Sequence, residues 1–311
     1  MRLAGLLLLV CCFAAGALFS IQIFNMEAPK PVSQSASVAA AEIAAAQSAF
    51  ANVSLFAQGA IVVDLHTHVV LYQRNADAQL SLASITKVPL AIVVSEVLVP
   101  ESIVTIPKDT SYNSKASQLL AGERWRTKDL MTYTLMASSN DGAEILANAA
   151  DEALRAKYPQ ATGSATVWRM NDLARALNLQ SMYFLNPTGL DVSETQSGAY
   201  GSARDVAKLF TYAATAMPAL FESTATSSAE IMSLDGRVAQ VINTDKALEE
   251  IPGMVMGKTG LTDLAGGNLA VIFSANGKRY AAVVLGSTEE GRFSDIQQLT
   301  AATRSVLAQN K

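Results

Sequence analysis

The 311-residue chain is poor in histidine and cysteine, and both shortages narrow what it can do. Its two cysteines, Cys11 and Cys12, lie in a hydrophobic N-terminal run, where they read as apolar membrane-facing residues. The remainder has no cysteine, so no disulfide stabilises it. Val10 is also a poor fit for the small residue that precedes a lipidated cysteine. The two histidines, His66 and His68, sit together around a turn. Two ligands fall short of a metal site, and a Ser-His-Asp triad is badly supplied. A net charge of −4 and a pI near 5.3 leave no basic stripe for nucleic acid. No glycine-rich phosphate loop is present, and Trp125, Trp168 and the scattered methionines read as core or cleft wall. No cofactor and no metal are expected.

What the chain does have begins with Leu3 to Phe24, largely apolar after Arg2. At about 1.5 Å per residue this run spans about 33 Å, against a bilayer core of about 30 Å. Residues 1–24 are therefore expected to be a signal-anchor, with Arg2 inside and the rest of the chain outside the cytoplasmic membrane. A cleaved signal peptide is the competing reading, since Ala15-Gly16-Ala17 offers small residues for cleavage and would release a secreted protein. Residues 25–52, rich in Ala, Ser and Pro, read as a spacer, and 53–311 as one catalytic domain large enough to bury a core.

Three short motifs follow in order: Ser84-Ile85-Thr86-Lys87, Ser138-Ser139-Asn140 and Lys258-Thr259-Gly260. Each has an ordinary explanation. Ser84 fits an N-cap of the apolar run Val88 to Val99, Ser138 to Gly142 a polar break between helices, and Lys258 to Gly260 a turn out of a strand. Their conjunction points to chemistry instead. Lys87 stands three residues after Ser84, on the same face of a helix, and no other lysine has a serine at that spacing. A lysine base must be partly neutral, held so by burial or by a neighbouring cation, for which Lys258 is the candidate.

With these motifs the chain resembles the low-molecular-mass D-alanyl-D-alanine carboxypeptidases, penicillin-binding serine peptidases of the penicillin-recognising fold. Further phrases carry the likeness across about residues 55–300: Val69 to Tyr72, Gly122-Glu123, Asn186 to Leu190, Ser202 to Asp205 and Thr262 to Gly266. The resemblance implies that Ser84 attacks a peptide carbonyl and Lys87 takes its proton. It further implies that Ser138 relays a proton to the leaving amine, Asn140 positions lysine and substrate, and Lys258 and Thr259 hold a terminal carboxylate. Gly260 would allow close approach of the backbone, and the N–H groups of Ser84 and Leu261 would form the oxyanion hole. The implied substrates are peptidoglycan stem peptides in the cell envelope, with β-lactams as covalent inhibitors. The chain departs from the family pattern at Thr67-His68, where glycine is usual in the turn, and at Val255-Met256, where Asp-Gly is usual. A D,D-endopeptidase, a β-lactamase and a non-catalytic cell-wall scaffold are the alternatives. Asn186 to Gly189 replaces the deacylating-glutamate segment of a class A β-lactamase, and retention of Ser84 and Lys87 argues against a scaffold.

The resemblance implies an α+β fold of the β-lactamase/transpeptidase type, and the apolar pattern agrees with it: an antiparallel sheet flanked by helices, with an inserted helical lobe. Strands are expected at Ala60–Asp64 and Val69–Gln73, and at Asn268–Ser274 and Arg279–Gly286 around Asn276-Gly277. Helices are expected at Ser84–Val99, starting tightly or kinked because of Pro89, and at Ser294–Ala308, with a mostly helical stretch from about 127 to 222.

Overall fold

Five segments rich in Val, Ile and Ala pair into one antiparallel sheet: β1 (Gly59–Asp64), β2 (Val70–Arg74), β3 (Met254–Thr262), β4 (Gly266–Ala275) and β5 (Lys278–Ser287). This computed structural model describes residues 46–108 and 119–309. The expected anchor, both cysteines and most of the expected spacer lie outside those residues. Spatial order is β3-β4-β5-β1-β2, so the two ends of the chain build one sheet and β3 forms its edge.

The apolar runs in β4 and β5 are continuous because both sheet faces are covered. Successive side chains point to opposite sides. Ile61, Ala270, Ile272, Ala281 and Val283 pack into the core shared with the helical lobe. Ala60, Val62, Val271, Phe273 and Val284 pack on the other side, against Ile296, Leu299 and Val306 of the last helix, α6 (Gly291–Gln309). Burying each such aliphatic side chain contributes about 1.5–3 kcal/mol, which is what clamps α6 to the sheet.

Turn chemistry follows the sequence closely. Asn276 and Gly277 both adopt left-handed φ, 49° and 75°, giving the expected tight hairpin between β4 and β5. His68 occupies the corresponding strained position between β1 and β2, with φ 59°. Asp64 supports that turn: its Oδ1 accepts from the His66 N–H at 2.7 Å and the Thr67 N–H at 3.0 Å.

The segment around Ser84 differs from the single helix expected there. A 3₁₀ turn, Ala83–Thr86, leads into α1 (Lys87–Ser95), and Val99 lies beyond it, 62% exposed. Pro89 sits in the first turn of α1, where a missing N–H leaves no bond unmade. Nearly every residue of α1 is buried, so it runs as a central apolar rod through the lobe. Around it stand α2 (Thr127–Met136), α3 (Asn140–Lys157), α4 (Ala165–Ala176) and α5 (Ala203–Ala216).

Ala46 and Phe50, within the stretch expected as a spacer, are buried in the α6-side core, and Phe50 stacks on Tyr72 at 5.1 Å. Among the described residues no helix is long and apolar enough to cross a membrane.

Candidate active site

Ser84 is not an N-cap. It lies inside the 3₁₀ turn, and neither that turn nor α1 has a side-chain cap at its start. Ala83, just before it, has φ 48°, an unfavourable conformation for a residue with a Cβ. Gly189 explains why that backbone stays where it is. At φ 80° glycine alone is comfortable, and a Cβ there would lie 1.9 Å from the Ala83 carbonyl oxygen. The loop carrying Gly189 is tied by Asn186, whose Oδ1 accepts from the N–H groups of Thr188 at 3.2 Å and Gly189 at 2.7 Å.

Lys87, fully buried at the start of α1, reaches three oxygens. Its Nζ lies 2.7 Å from Ser84 Oγ, 2.7 Å from Asn140 Oδ1 and 3.1 Å from the Thr188 carbonyl. Burial pushes the Lys87 amine down to about 7, opposed by the carboxylate of Glu144. Glu144 stands one turn after Asn140 on α3, and its own carboxyl is raised by burial.

The second motif is more compact than a loop between helices. Asn140 to Gly142 form the first turn of α3, capped by Ser139, whose Oγ accepts from the Gly142 N–H at 3.0 Å. Only Ala137 to Ser139 bridge α2 and α3. Ser138 has φ 55°, a strained setting of the kind stored at functional positions.

Strand β3 brings the third motif alongside. Lys258, also buried, donates to Ser138 Oγ at 2.8 Å and to the Thr259 carbonyl at 2.9 Å. Burial is the first cause that lowers its amine, with the Lys87 charge second. Thr259 Oγ1 lies 2.6 Å from Thr244 Oγ1. At Gly260 a Cβ would come within 2.8 Å of the Leu82 carbonyl oxygen, so the edge strand and the 3₁₀ turn meet only because glycine is there. Arg292 of α6 donates to the Gly260 carbonyl at 2.7 Å, and Leu261 follows with a side chain 42% exposed.

The three motifs thus form one site. Lys87 contacts Ser84 and Asn140, Lys258 contacts Ser138 and Thr259, and the two groups are joined along the chain because Ser138 stands two residues before Asn140, just ahead of α3. Five further residues, Thr188, Glu144, Thr244, Asp245 and Arg292, complete the surroundings. Of these only Thr188 stood in a recognisable phrase. Glu144 lies four residues past the second motif, and the rest lie in segments that only folding brings here. Hollows also occur elsewhere: about 850 Å³ beside Leu98, Met131 and Leu220, and about 560 Å³ beside Val70 and Tyr212. Neither contains a motif residue. His66 and His68 are exposed, and among the described residues no cluster of three or more potential metal ligands exists.

Residues 44–289 match the family model of D-alanyl-D-alanine carboxypeptidase, peptidase S11. The chain belongs to that family. Its relatives include the D-alanyl-D-alanine carboxypeptidase DacB2 of Mycobacterium tuberculosis, 31% identical over 237 residues, covering 76% of this chain and 77% of the relative. A D-alanyl-D-alanine endopeptidase of Escherichia coli is 29% identical over 231 residues, covering 73% of this chain and 70% of the relative. Among solved structures, the penicillin-binding protein D2 of Listeria monocytogenes in its ampicillin-bound form superposes with TM-score 0.68 at 26% identity. That match covers 81% of this chain and 98% of the other. The fold is therefore the penicillin-binding, transpeptidase-like α+β fold, and the family member described here is a serine peptidase of the D-alanyl-D-alanine carboxypeptidase type.

Proposed function

We propose that Ser84 is the nucleophile and Lys87 its base, in a carboxypeptidase that trims the terminal D-alanine from peptidoglycan stem peptides. The observation that carries this reading is the set of three oxygens around Lys87 Nζ. The Thr188 carbonyl and Asn140 Oδ1 accept hydrogen bonds and cannot donate them. A neutral amine spends its two N–H groups on them, and its lone pair is left facing Ser84 Oγ, 2.7 Å away.

Ser84 Oγ adds to the carbonyl of the penultimate D-alanine while its proton passes to Lys87. The oxyanion is held by the N–H groups of Ser84 and Leu261. Collapse breaks the peptide bond, and the leaving amine takes a proton through Ser138, whose Oγ already accepts from Lys258 and so keeps its own O–H free to donate. Water then hydrolyses the acyl-enzyme and regenerates Ser84. Lys258 and Thr259 bind the substrate's terminal carboxylate. At 4 Å and an effective dielectric near 20, one such charge pair is worth about 4 kcal/mol before desolvation. The relative solved with ampicillin bound supports β-lactam binding by this chain, with acylation expected at Ser84.

Incubating the enzyme with a stem pentapeptide and with a D,D-cross-linked dimer tests the substrate preference. D-alanine release from the pentapeptide is expected, abolished in Ser84→Ala. Cleavage of the dimer alone would make the enzyme an endopeptidase, like the Escherichia coli relative. The apolar run at 3–24 supports attachment to the outer face of the cytoplasmic membrane, with residues 25–45 as a tether. Mass spectrometry of the mature N-terminus distinguishes a retained anchor from a cleaved signal.

A further inference from the structure

The second and third motifs meet through a residue that belongs to neither. Thr244 is half-buried, in the segment between the hairpin of strands Ser228–Met232 and Val238–Ile242 and the edge strand β3. Its N–H donates to the carbonyl of Met136, the last residue of α2, at 3.0 Å. Ala137 and Ser138 follow directly, so this bond ties Thr244 to the segment that carries the second motif. Its hydroxyl reaches the third motif, with Oγ1 2.6 Å from Thr259 Oγ1. The preceding residue pins the segment. Asn243 donates its N–H to the Ser227 carbonyl at 2.9 Å and its side-chain amide to the carbonyls of Thr224 at 3.0 Å and Thr226 at 2.9 Å, while its Oδ1 accepts from the Asp245 N–H at 3.0 Å. The Thr244 hydroxyl is thus held in place by backbone on both sides.

Two hydroxyls at this distance share one hydrogen, and which of them gives it decides what Thr259 can offer a substrate. If Thr259 gave it, its oxygen would keep only lone pairs, which repel a carboxylate. If Thr244 gives it, the Thr259 O–H stays free to donate. The surroundings favour the second arrangement. Thr244 Oγ1 also lies 3.4 Å from the Met136 carbonyl, at the outer limit of a hydrogen bond, and that oxygen already accepts the Thr244 N–H. The Thr244 proton is better placed on Thr259, at 2.6 Å. We propose that Thr244 is a positioning residue for substrate recognition: by donating to Thr259 Oγ1 it leaves that hydroxyl's own proton for the terminal carboxylate of the peptide. This rests on the reading that Thr259 binds that carboxylate. A donor behind the Thr259 oxygen also polarises its O–H and strengthens the charge-assisted bond in front.

Thr244→Val tests this, because it removes the hydroxyl yet keeps the branched shape and the N–H bonded to Met136. Steady-state kinetics with a tripeptide ending in two D-alanines are compared in the parent, Thr244→Val, Thr259→Val and the double variant. In Thr244→Val, kcat/KM is expected to fall about fivefold, mainly through KM with kcat near the parent's, and Thr244→Ser, which restores the donor, recovers most of it. In the Thr259→Val background the same change costs little more, because the hydroxyl it serves is gone. A merely structural role lowers kcat/KM equally in both backgrounds. Equal losses, or the parent's KM in Thr244→Val, overturn the inference; Thr244→Ala, compared in the same way, takes the place of the valine variant if that protein does not fold. Thr259→Val separates the two claims: a raised KM there with Thr244→Val unaffected defeats only the role of Thr244, whereas the parent's KM in Thr259→Val defeats the reading that Thr259 binds the carboxylate.

Discussion

At the scale of single residues, the proposed role of Lys87 turns on what would make an ordinary lysine a base. Water stabilises an ammonium, and Lys87 has lost that water: burial outweighs the opposing charge of Glu144 and brings its amine down to about 7. The base must be neutral, so kcat/KM is expected to fall as pH drops through about 7. Glu144 pulls the other way, because its negative charge favours the ammonium. Removing that charge in Glu144→Gln lets Lys87 lose its proton at lower pH, and the acid limb of the profile moves down in pH. A limb that stays put or moves up would show that Glu144 does not bear on Lys87. The sequence displayed Ser84 and Lys87 because their partnership is local, three residues apart along the chain. It did not display Arg292, whose contact with β3 comes from another element, nor the bearing of Glu144 on Lys87, although Glu144 lies only four residues past the second motif.

At the scale of elements, backbone shape does the positioning. Helix and strand periods made most elements readable, including the hairpin at Asn276-Gly277 and the apolar side of α6. The start of the nucleophile helix was less readable. Pro89 signals a tight beginning, but the 3₁₀ turn is fixed by a distant contact, Gly189 against the Ala83 carbonyl. Replacing that hydrogen by a methyl in Gly189→Ala forces the two segments apart and also strains φ. A loss of at least about 2 kcal/mol in unfolding free energy is expected by denaturant melting. Acylation should fall more steeply than stability, since Thr188 and Ser84 both shift relative to Lys87. An unperturbed acylation rate in a folded Gly189→Ala protein would remove this loop from the account. The polar motif at Ser138 to Gly142 shows the opposite limit: its composition reads as a loop, yet most of it is the capped first turn of α3. Capping residues and loop residues are the same types, so composition cannot separate them.

At the scale of the whole molecule, one sheet made from both chain ends holds the lobe and the edge strand against each other. That layout was legible because four of the five strands show as apolar segments bounded by turn residues and the middle third reads as helical. The inner boundary of the domain was not. An Ala- and Ser-rich stretch resembles a tether by composition, and only the stacking of Phe50 on Tyr72 reveals that its end belongs to the fold. Phe50→Ala is expected to destabilise the protein by about 3 kcal/mol in thermal or denaturant unfolding, with kcat unchanged because no motif residue touches it. Stability equal to the parent would return residues 46–50 to the tether. The central claim is that Ser84, activated by Lys87, forms the acyl-enzyme, and peptide mapping by mass spectrometry after exposure to a labelled penicillin tests it most directly. The expected result is one adduct, on the peptide carrying Ser84, formed faster above pH 7 than below it and missing from Ser84→Ala. An adduct on any other residue, or none in the folded parent, would contradict it.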